Sequence, residues 1–452
     1  MIRRLVSALT FASVLATVAA QDPSWVAKVD ALVAARVAKA DAVGFSVGVA
    51  QKGEVLLAKG YGLADAEWRI PATADTRFRI GSVTKQFTAA LVMRLVEQKK
   101  IALDDGLEKY VPEFPLQGKK VTVQMLLDHT SGIPNYTDIG KEWEKVVPLE
   151  LTHGELLALV DGKPFDFEPG TEWRYDNTGY YLLGMVLEKV HGKSYADVVR
   201  DELSGPLGLA DTMYGHNQDV IERRAHGYTM RAGKRVNADH LGMTQPGAAG
   251  ALLSTGADLV RWSMALAGGK VVSTTSYERM TQATVLPNGR DTGYGFGLMR
   301  NEVLGRPAIF HGGGIHGFNS MLLHLPGDDL HVAVIGNAEA ASSEKLAHEV
   351  VQAVLGIEKF VAKDEPLPAD LRDRLAGEYD LADVGMALVV TAEGDRLRAK
   401  GKAPGQEVFG LLYQGSLEFR ASFDHEVRIV FSADGKELTL HQNGGAFVGH
   451  RQ

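Results

Sequence analysis

The stretch Arg77-Phe78-Arg79-Ile80-Gly81-Ser82-Val83-Thr84-Lys85-Gln86-Phe87-Thr88-Ala89-Ala90-Leu91-Val92-Met93-Arg94-Leu95-Val96 is apolar at positions 83, 87, 91 and 95 and at several positions between them. That pattern predicts a helix buried on most sides, with Ser82 at its start. The i, i+3 spacing of Ser82 and Lys85 puts both side chains on one helical face. A serine hydroxyl is a poor nucleophile near neutral pH and needs a base within hydrogen-bond reach and a place for a developing oxyanion. Burial disfavours an ammonium, so a buried lysine becomes an amine able to accept the serine proton, and a helix N-terminus adds positive potential for the oxyanion. Ser-x-x-Lys alone is a weak signal, because both residue types are common and most matches are solvated helix starts.

Upstream, Gly44 to Gly62 holds two apolar runs around Lys52-Gly53 and reads as a hairpin. Downstream, Thr152-x-x-Glu155 and Thr255-x-x-Asp258, the second a weaker capping box, each precede an apolar run and signal helices. Strands are expected again at Tyr294 to Met299, Ala308 to His311, Phe318 to Leu325 and His331 to Asn337, followed by a helix from about Ser342 to Leu355. Strands at both ends with helices between predict an α+β domain, an antiparallel sheet flanked by helices with a mostly helical subdomain, whose sheet is closed by the two termini. Residues 359–368 read as a linker. Residues 369–452 read as a separate small all-β barrel, with strands around Leu417 to Ala421, Val427 to Phe431 and Leu438 to His441 and turns at Asp434-Gly435 and Asn443-Gly444.

The chain has 452 residues, 45% of them hydrophobic and 23% charged, ordinary globular composition in more than one folded unit. Residues 1–20 carry Arg3-Arg4, an apolar run from Leu5 to Val18 and a small-residue end at Val18-Ala19-Ala20, the pattern of a signal peptide; residues 21–358 form the main domain. The chain is therefore expected to be exported, to a periplasm or beyond, although an uncleaved anchor is the alternative for this short run. It contains no cysteine, so it stands on its buried core without disulfides. The net charge of −8 and the lack of a basic block speak against nucleic acid as a partner. No cofactor is expected, and the 14 histidines show no clustered ligand spacing, so no metal is expected either.

Two further segments join Ser82 and Lys85. Glu172-Trp173-Arg174-Tyr175-Asp176-Asn177 precedes a helix, which puts Tyr175 and Asn177 on a loop. His311-Gly312-Gly313-Gly314 ends a strand, where bare backbone N–H groups are accessible. In order and context these segments resemble the serine β-lactamase and penicillin-recognising family, whose motifs are Ser-x-x-Lys, Tyr-x-Asn and Lys-Thr-Gly. The similarity runs from about residue 25 to 358 and includes Leu126-Leu127-Asp128-His129-Thr130-Ser131-Gly132-Ile133-Pro134 and Pro206-Leu207-Gly208-Leu209. It extends to class C β-lactamases, family VIII carboxylesterases and D-aminopeptidase-like relatives, with a lipocalin-like β domain at the C-terminus.

The resemblance implies that Ser82 is the acylated nucleophile, Lys85 its base partner and Tyr175 the phenol relaying protons to the leaving group. It implies that Asn177 binds the substrate amide or holds Lys85, that His311 and Gly313 line the substrate, and that the backbone N–H groups of Ser82 and Gly314 form the oxyanion hole. The chain departs from the family at the third motif, where His311 stands in place of the usual lysine. A lysine supplies a permanent charge for a substrate carboxylate, whereas a histidine near pH 7 is largely neutral. The expected reaction therefore shifts towards hydrolysis of an ester or amide through an acyl-enzyme. A β-lactamase or D,D-carboxypeptidase is the alternative, and a non-catalytic envelope-binding protein is a third reading. The partner is a small molecule or peptide, and oligomeric state is not readable.

Three other motifs fail on context. Gly312-x-Gly314-x-x-Gly317 runs on into a predicted strand rather than the helix a dinucleotide site requires. Gly44-x-Ser46-x-Gly48 enters the predicted hairpin instead of the strand-to-helix turn of a nucleophile elbow. His348-Glu349 lacks the second histidine of a zinc helix.

Overall fold

The computed structural model describes residues 23–39, 42–358, 360–381, 386–402, 406–442 and 445–452. The expected leader and the turn at Asn443-Gly444 lie outside the described residues. Helix α1 (Pro23–Val37) precedes strands β1 (Gly44–Gln51), β2 (Glu54–Asp65) and β3 (Ile70–Pro71). Helices α2 (Thr84–Glu97), α3 (Asn177–His191), α4 (Gly256–Ala267) and α5 (Thr274–Thr281) follow among shorter turns. The chain then returns through β4 (Met299–Val303), β5 (Arg306–Ile315), β6 (Phe318–Leu325) and β7 (Leu330–Gly336) to helix α6 (Ser343–Leu355). The sheet order is β3-β2-β1-β7-β6-β5-β4, so the early hairpin and the late strands meet at the antiparallel β1–β7 pair, from Phe45↔Gly336 to Gln51↔Leu330.

Strand β1 lies in mid-sheet because its two faces carry different residues. Phe45, Val47 and Val49 point into a core with Val29 and Val33 of α1 and Leu346, Val350 and Val351 of α6. Ser46 and Gly48 face the start of α4, where Ser46 Oγ accepts the Gly256 N–H at 2.9 Å. A Cβ on Gly48 would fall 2.0 Å from the Gly256 carbonyl oxygen, so only glycine admits this approach. Ser46 is thus a buried strand residue. The β1–β2 turn has positive φ at Lys52 (51°) and Gly53 (80°), as a two-residue hairpin turn matched to the strand twist requires.

Helix α2 threads the second core. Phe87, Ala90, Leu91 and Leu95 are buried, and Phe87 stacks on Trp262 of α4 with centroids 3.9 Å apart. Thr152 forms a reciprocal capping box with Glu155, as its sequence signals. Thr255 caps α4 by accepting the Asp258 N–H, while the Asp258 carboxylate turns instead to the Asp211 N–H and Thr212.

Two strand expectations need correction. Tyr294 to Met299 is not a strand: Gly293 and Gly297 take positive φ and fold the segment back, so that Tyr294 faces Met299 across a bend and β4 begins only at Met299. Nor does the glycine run end its strand, since β5 continues through His311 and the three glycines to Ile315, paired throughout with β6.

At the C-terminal end, helix α7 (Ala369–Leu375) leads into a closed antiparallel barrel of β8 (Gly377–Leu381), β9 (Met386–Glu393), β10 (Arg396–Gly401), β11 (Phe409–Tyr413), β12 (Glu418–Ala421), β13 (Asp424–Phe431), β14 (Glu437–Gln442) and β15 (Gly445–Arg451). Its interior is filled by Tyr379, Leu388, Leu397, Phe419, Phe431 and Leu438, with Leu371 and Leu375 of α7 packed against them. The barrel is a packed core of its own, each such side chain contributing about 1.5–3 kcal/mol of burial.

Candidate active site

Ser82 sits on a tight 3-10 turn, Gly81–Val83, immediately ahead of α2, which begins at Thr84. Gly81 has φ +50°, and a Cβ there would meet the backbone of Gly314 at 3.0 Å. The same closeness recurs one step away: a Cβ on Gly313 would lie 2.0 Å from the Ile80 carbonyl oxygen and 2.3 Å from Ser320 Oγ. Ser320 of β6 donates to that carbonyl at 2.8 Å and ties turn to sheet. The glycines of β5 therefore let a strand edge run flush against the serine turn. Gly313 faces this packed junction, whereas Gly314 is exposed, with open space where a side chain would stand.

Lys85, on the first turn of α2, is fully buried. Its Nζ donates to Ser82 Oγ at 3.2 Å, Asn177 Oδ1 at 2.8 Å and the Ala249 carbonyl at 3.0 Å. Three acceptors match the three protons of an ammonium, while the neutral amine keeps two of these bonds and turns its lone pair towards the serine. Burial pulls the Lys85 pKa down to about 7, and the nearby Asp176 carboxylate opposes the fall.

Asn177 is not on a loop, as its sequence context predicts, but is the first residue of α3. Asp176 before it caps the helix, its carboxylate accepting the Thr178 and Gly179 N–H groups at 2.7 and 2.8 Å. The Asn177 amide is oriented from both sides, because its Nδ2 donates to Thr137 Oγ1 at 3.2 Å while its Oδ1 receives Lys85. Burial raises the Asp176 pKa to about 7, against the pull of its two backbone amides and Lys85.

Tyr175 does lie on the loop before α3. Its hydroxyl interacts with Ser82, and the Lys85 Nζ sits 4.7 Å from its ring centroid. Burial pushes the phenol pKa well above its ordinary value, so the hydroxyl keeps its proton at neutral pH. His311 is 3% exposed, with Nδ1 donating to the Gly312 carbonyl at 2.6 Å and Nε2 facing the Tyr294 hydroxyl at 2.9 Å. Since a carbonyl only accepts, the neutral ring carries its proton on Nδ1, and Nε2 accepts from Tyr294. Burial, aided by the Lys85 charge, lowers the His311 pKa to about 3. The position where the family carries a permanent cation is therefore neutral in this chain.

Ser82, Lys85, Tyr175, Asn177, His311 and Gly314 thus converge from three separate segments. The sequence missed Asp176 and the clamp behind it. His129 Nδ1 accepts the Asp176 N–H at 3.1 Å, and its ring packs 4.5 Å from Tyr175 and 4.6 Å from Tyr294. Asp176 followed by Asn, Thr and Gly ahead of an apolar run is an N-cap signal that would have found it. The role of the Ala249 carbonyl has no sequence signal, because it is backbone.

The Beta-lactamase family profile matches residues 29–355. The chain belongs to this family. Its β-lactamase-type domain is 28% identical over 337 residues to a D-aminopeptidase of Gluconobacter oxydans (strain 621H), a match covering 74% of this chain and 63% of that protein. It is thus similar to a little under two thirds of that relative's length. Among solved structures, an octameric penicillin-binding protein homologue from Pyrococcus abyssi is similar over 94% of this chain and 99% of its own, at 25% identity and a TM-score of 0.67. A D-amino acid amidase from Ochrobactrum anthropi SV3, complexed with D-phenylalanine, is similar over 74% of this chain and 99% of its own, at 26% identity and a TM-score of 0.65. Membership of the β-lactamase family supports a hydrolytic activity of the serine-hydrolase type. Among the described residues no helix is long and apolar enough to cross a membrane.

Proposed function

We propose that this chain hydrolyses an amide or ester through an acyl-enzyme on Ser82, with Lys85 as its base. The observation that carries the reading is the buried Lys85 amine 3.2 Å from Ser82 Oγ, its pKa lowered to about 7. Burial thus favours the neutral amine near neutral pH, and the amine takes the Ser82 proton as Oγ bonds to the substrate carbonyl carbon. The carbonyl oxygen gains the negative charge beside the N–H groups of Ser82 and Gly314. As the carbon–nitrogen or carbon–oxygen bond breaks, Tyr175 passes a proton to the departing amine or alcohol and is reprotonated from Lys85. Water then attacks the ester on Ser82 by the reverse transfers, releasing the acid.

The neutral His311 points to substrates that need no fixed cation for a carboxylate beside the scissile bond. Amides and esters of amino acids fit this better than β-lactams or peptides ending in a free D-alanine. The names of the D-aminopeptidase and D-amino acid amidase relatives agree with it. We place the reaction in the cell envelope, on the strength of the leader pattern in residues 1–20.

The test is turnover of purified protein on nitrophenyl esters, D- and L-amino acid amides, D-alanyl peptides and a chromogenic cephalosporin, with Ser82→Ala and Lys85→Met beside it. Ester or amide cleavage abolished by Ser82→Ala, with the intact mass showing an acyl adduct, is expected. Cephalosporin turnover without ester or amide cleavage would favour the β-lactamase reading. Unchanged turnover in Ser82→Ala would remove both.

A further inference from the structure

The β6–β7 hairpin brings together a group that the spacing of histidines in the sequence does not announce. His324 and His331 face each other directly across the two strands, their rings parallel within 6° and 4.2 Å apart. Asp329 closes the turn between them in a left-handed conformation, φ 45°. Four residues of strand, about 13 Å, separate His324 from Ser320 at the serine turn, so this group lies well away from Ser82. One ligand atom from each of His324, Asp329 and His331 lies within 4.8 Å of the others.

Both rings are buried, at 8% and 1% exposure, and each is held at Nδ1 by a hydroxyl from a neighbouring helix. His331 Nδ1 is 2.7 Å from Ser263 Oγ of α4, and His324 Nδ1 is 3.2 Å from the Tyr277 hydroxyl of α5. Imidazoles bound to metals are typically fixed in this way, through the ring nitrogen that does not touch the ion. When the Ser263 hydroxyl accepts from His331 Nδ1–H, the His331 Nε2 lone pair is left on the side of the Asp329 carboxylate. His331 Nε2 and Asp329 Oδ1 are 3.6 Å apart, too far for a hydrogen bond. That separation is close to the edge of about 3.4 Å that two ligands span around a tetrahedral ion with bonds near 2.1 Å. Asp329 is exposed and opens the pair to solvent.

We propose that His324, Asp329 and His331 bind a divalent ion of the zinc class, with water completing a tetrahedral set. Stacked parallel rings do not converge on one ion, so loading needs a turn of one ring about its Cβ–Cγ bond, and His324 makes it by giving up its longer contact with the Tyr277 hydroxyl. Two imidazoles and one carboxylate select zinc over calcium or magnesium, which prefer all-oxygen sets. The ion would tie the two strands of the β6–β7 hairpin together at its turn, a stabilising role apart from the chemistry at Ser82.

The experiment is calorimetric titration of the full chain, treated with chelator and then dialysed, with zinc chloride, alongside thermal melts with zinc, calcium and magnesium. Wild type is expected to take up one zinc per chain and to melt several degrees higher with zinc but not with calcium or magnesium. Asp329→Asn, a change at an exposed residue, should weaken uptake at least tenfold while leaving ester turnover unchanged, and His324→Ala should abolish it. No zinc-dependent rise in the melt, or uptake undiminished in both variants, overturns the proposal. Should His324→Ala fail to fold, Asp329→Asn decides alone.

Discussion

The Tyr294 hydroxyl lies 2.9 Å from His311 Nε2, and this bond holds a neutral imidazole at the end of the cleft where the family's lysine would stand. Tyr294→Phe removes the only donor found for that nitrogen among the described residues and leaves a buried acceptor unpaired. The expected cost is about 1–3 kcal/mol of folding stability, visible as a lower midpoint in denaturant with an unchanged slope. A midpoint equal to wild type would show that the bond is not made.

The pH dependence follows from Lys85. Its protonated form has no lone pair for the serine proton, so kcat/KM for a neutral ester should rise with pH, about tenfold per unit on the acid side, and level off above about 7. A profile flat between pH 5 and 9 would remove Lys85 as the base.

Asp176 raises the Lys85 pKa through its charge and caps α3 through its oxygens. Asp176→Asn keeps a capping oxygen but removes the charge, so the midpoint of the kcat/KM profile should move to lower pH. Asp176→Ala also loses the cap and should cost about 0.5–2 kcal/mol more in stability than wild type requires. The two substitutions separate charge from capping, and identical pH profiles for Asp176→Asn and wild type would contradict the coupling.

Gly313 and Gly314 are neighbours with opposite tolerances. Gly313→Ala places a methyl 2.0 Å from the Ile80 carbonyl and must part β5 from the serine turn. A displacement of this size, about 1 Å, lowers kcat/KM on the order of 100-fold. Gly314→Ala meets nothing within 4 Å and should fold with wild-type stability. Melting curves and steady-state kinetics on the two variants check both halves.

Local chemistry made much of this fold legible in the sequence. The Lys52-Gly53 turn, the caps at Thr152 and Thr255 and the apolar α2 all follow from nearest-neighbour physics, and each stands where the residues indicate. Tyr294 to Met299 reads as a strand because its apolar residues alternate, but Gly293 and Gly297 bend it, and a Cβ on Gly297 would fall 2.7 Å from the Lys85 carbonyl oxygen packed against the bend. That contact spans two distant segments and leaves no local trace. In the barrel, β12, β13 and β14 are readable from alternation beside a clear turn, whereas β10 alternates apolar residues with Arg and Lys but has no turn signal that pairs it, and β11 is a short run, Phe-Gly-Leu-Leu-Tyr, with no charged residue to mark an outer face. Ser82, Lys85, Tyr175 and Asn177 are candidates through their resemblance to the family motifs. Asp176, His129 and the Ala249 carbonyl act through geometry that only the folded chain displays.

The pairing of β1 with β7 sets an order of assembly. Gly44–Gln51 acquires its second hydrogen-bonded neighbour only when Leu330–Gly336 arrives, after almost all of the domain between them has been made. Closing so long a loop is a slow step, and until it happens the first hairpin keeps an unpaired edge. The serine turn is clamped by Gly313 and Ser320, which belong to the same late strands. Hydrolytic competence should therefore appear with the last step of sheet formation, and a nascent chain lacking β5 to β7 would be inert towards its own substrate.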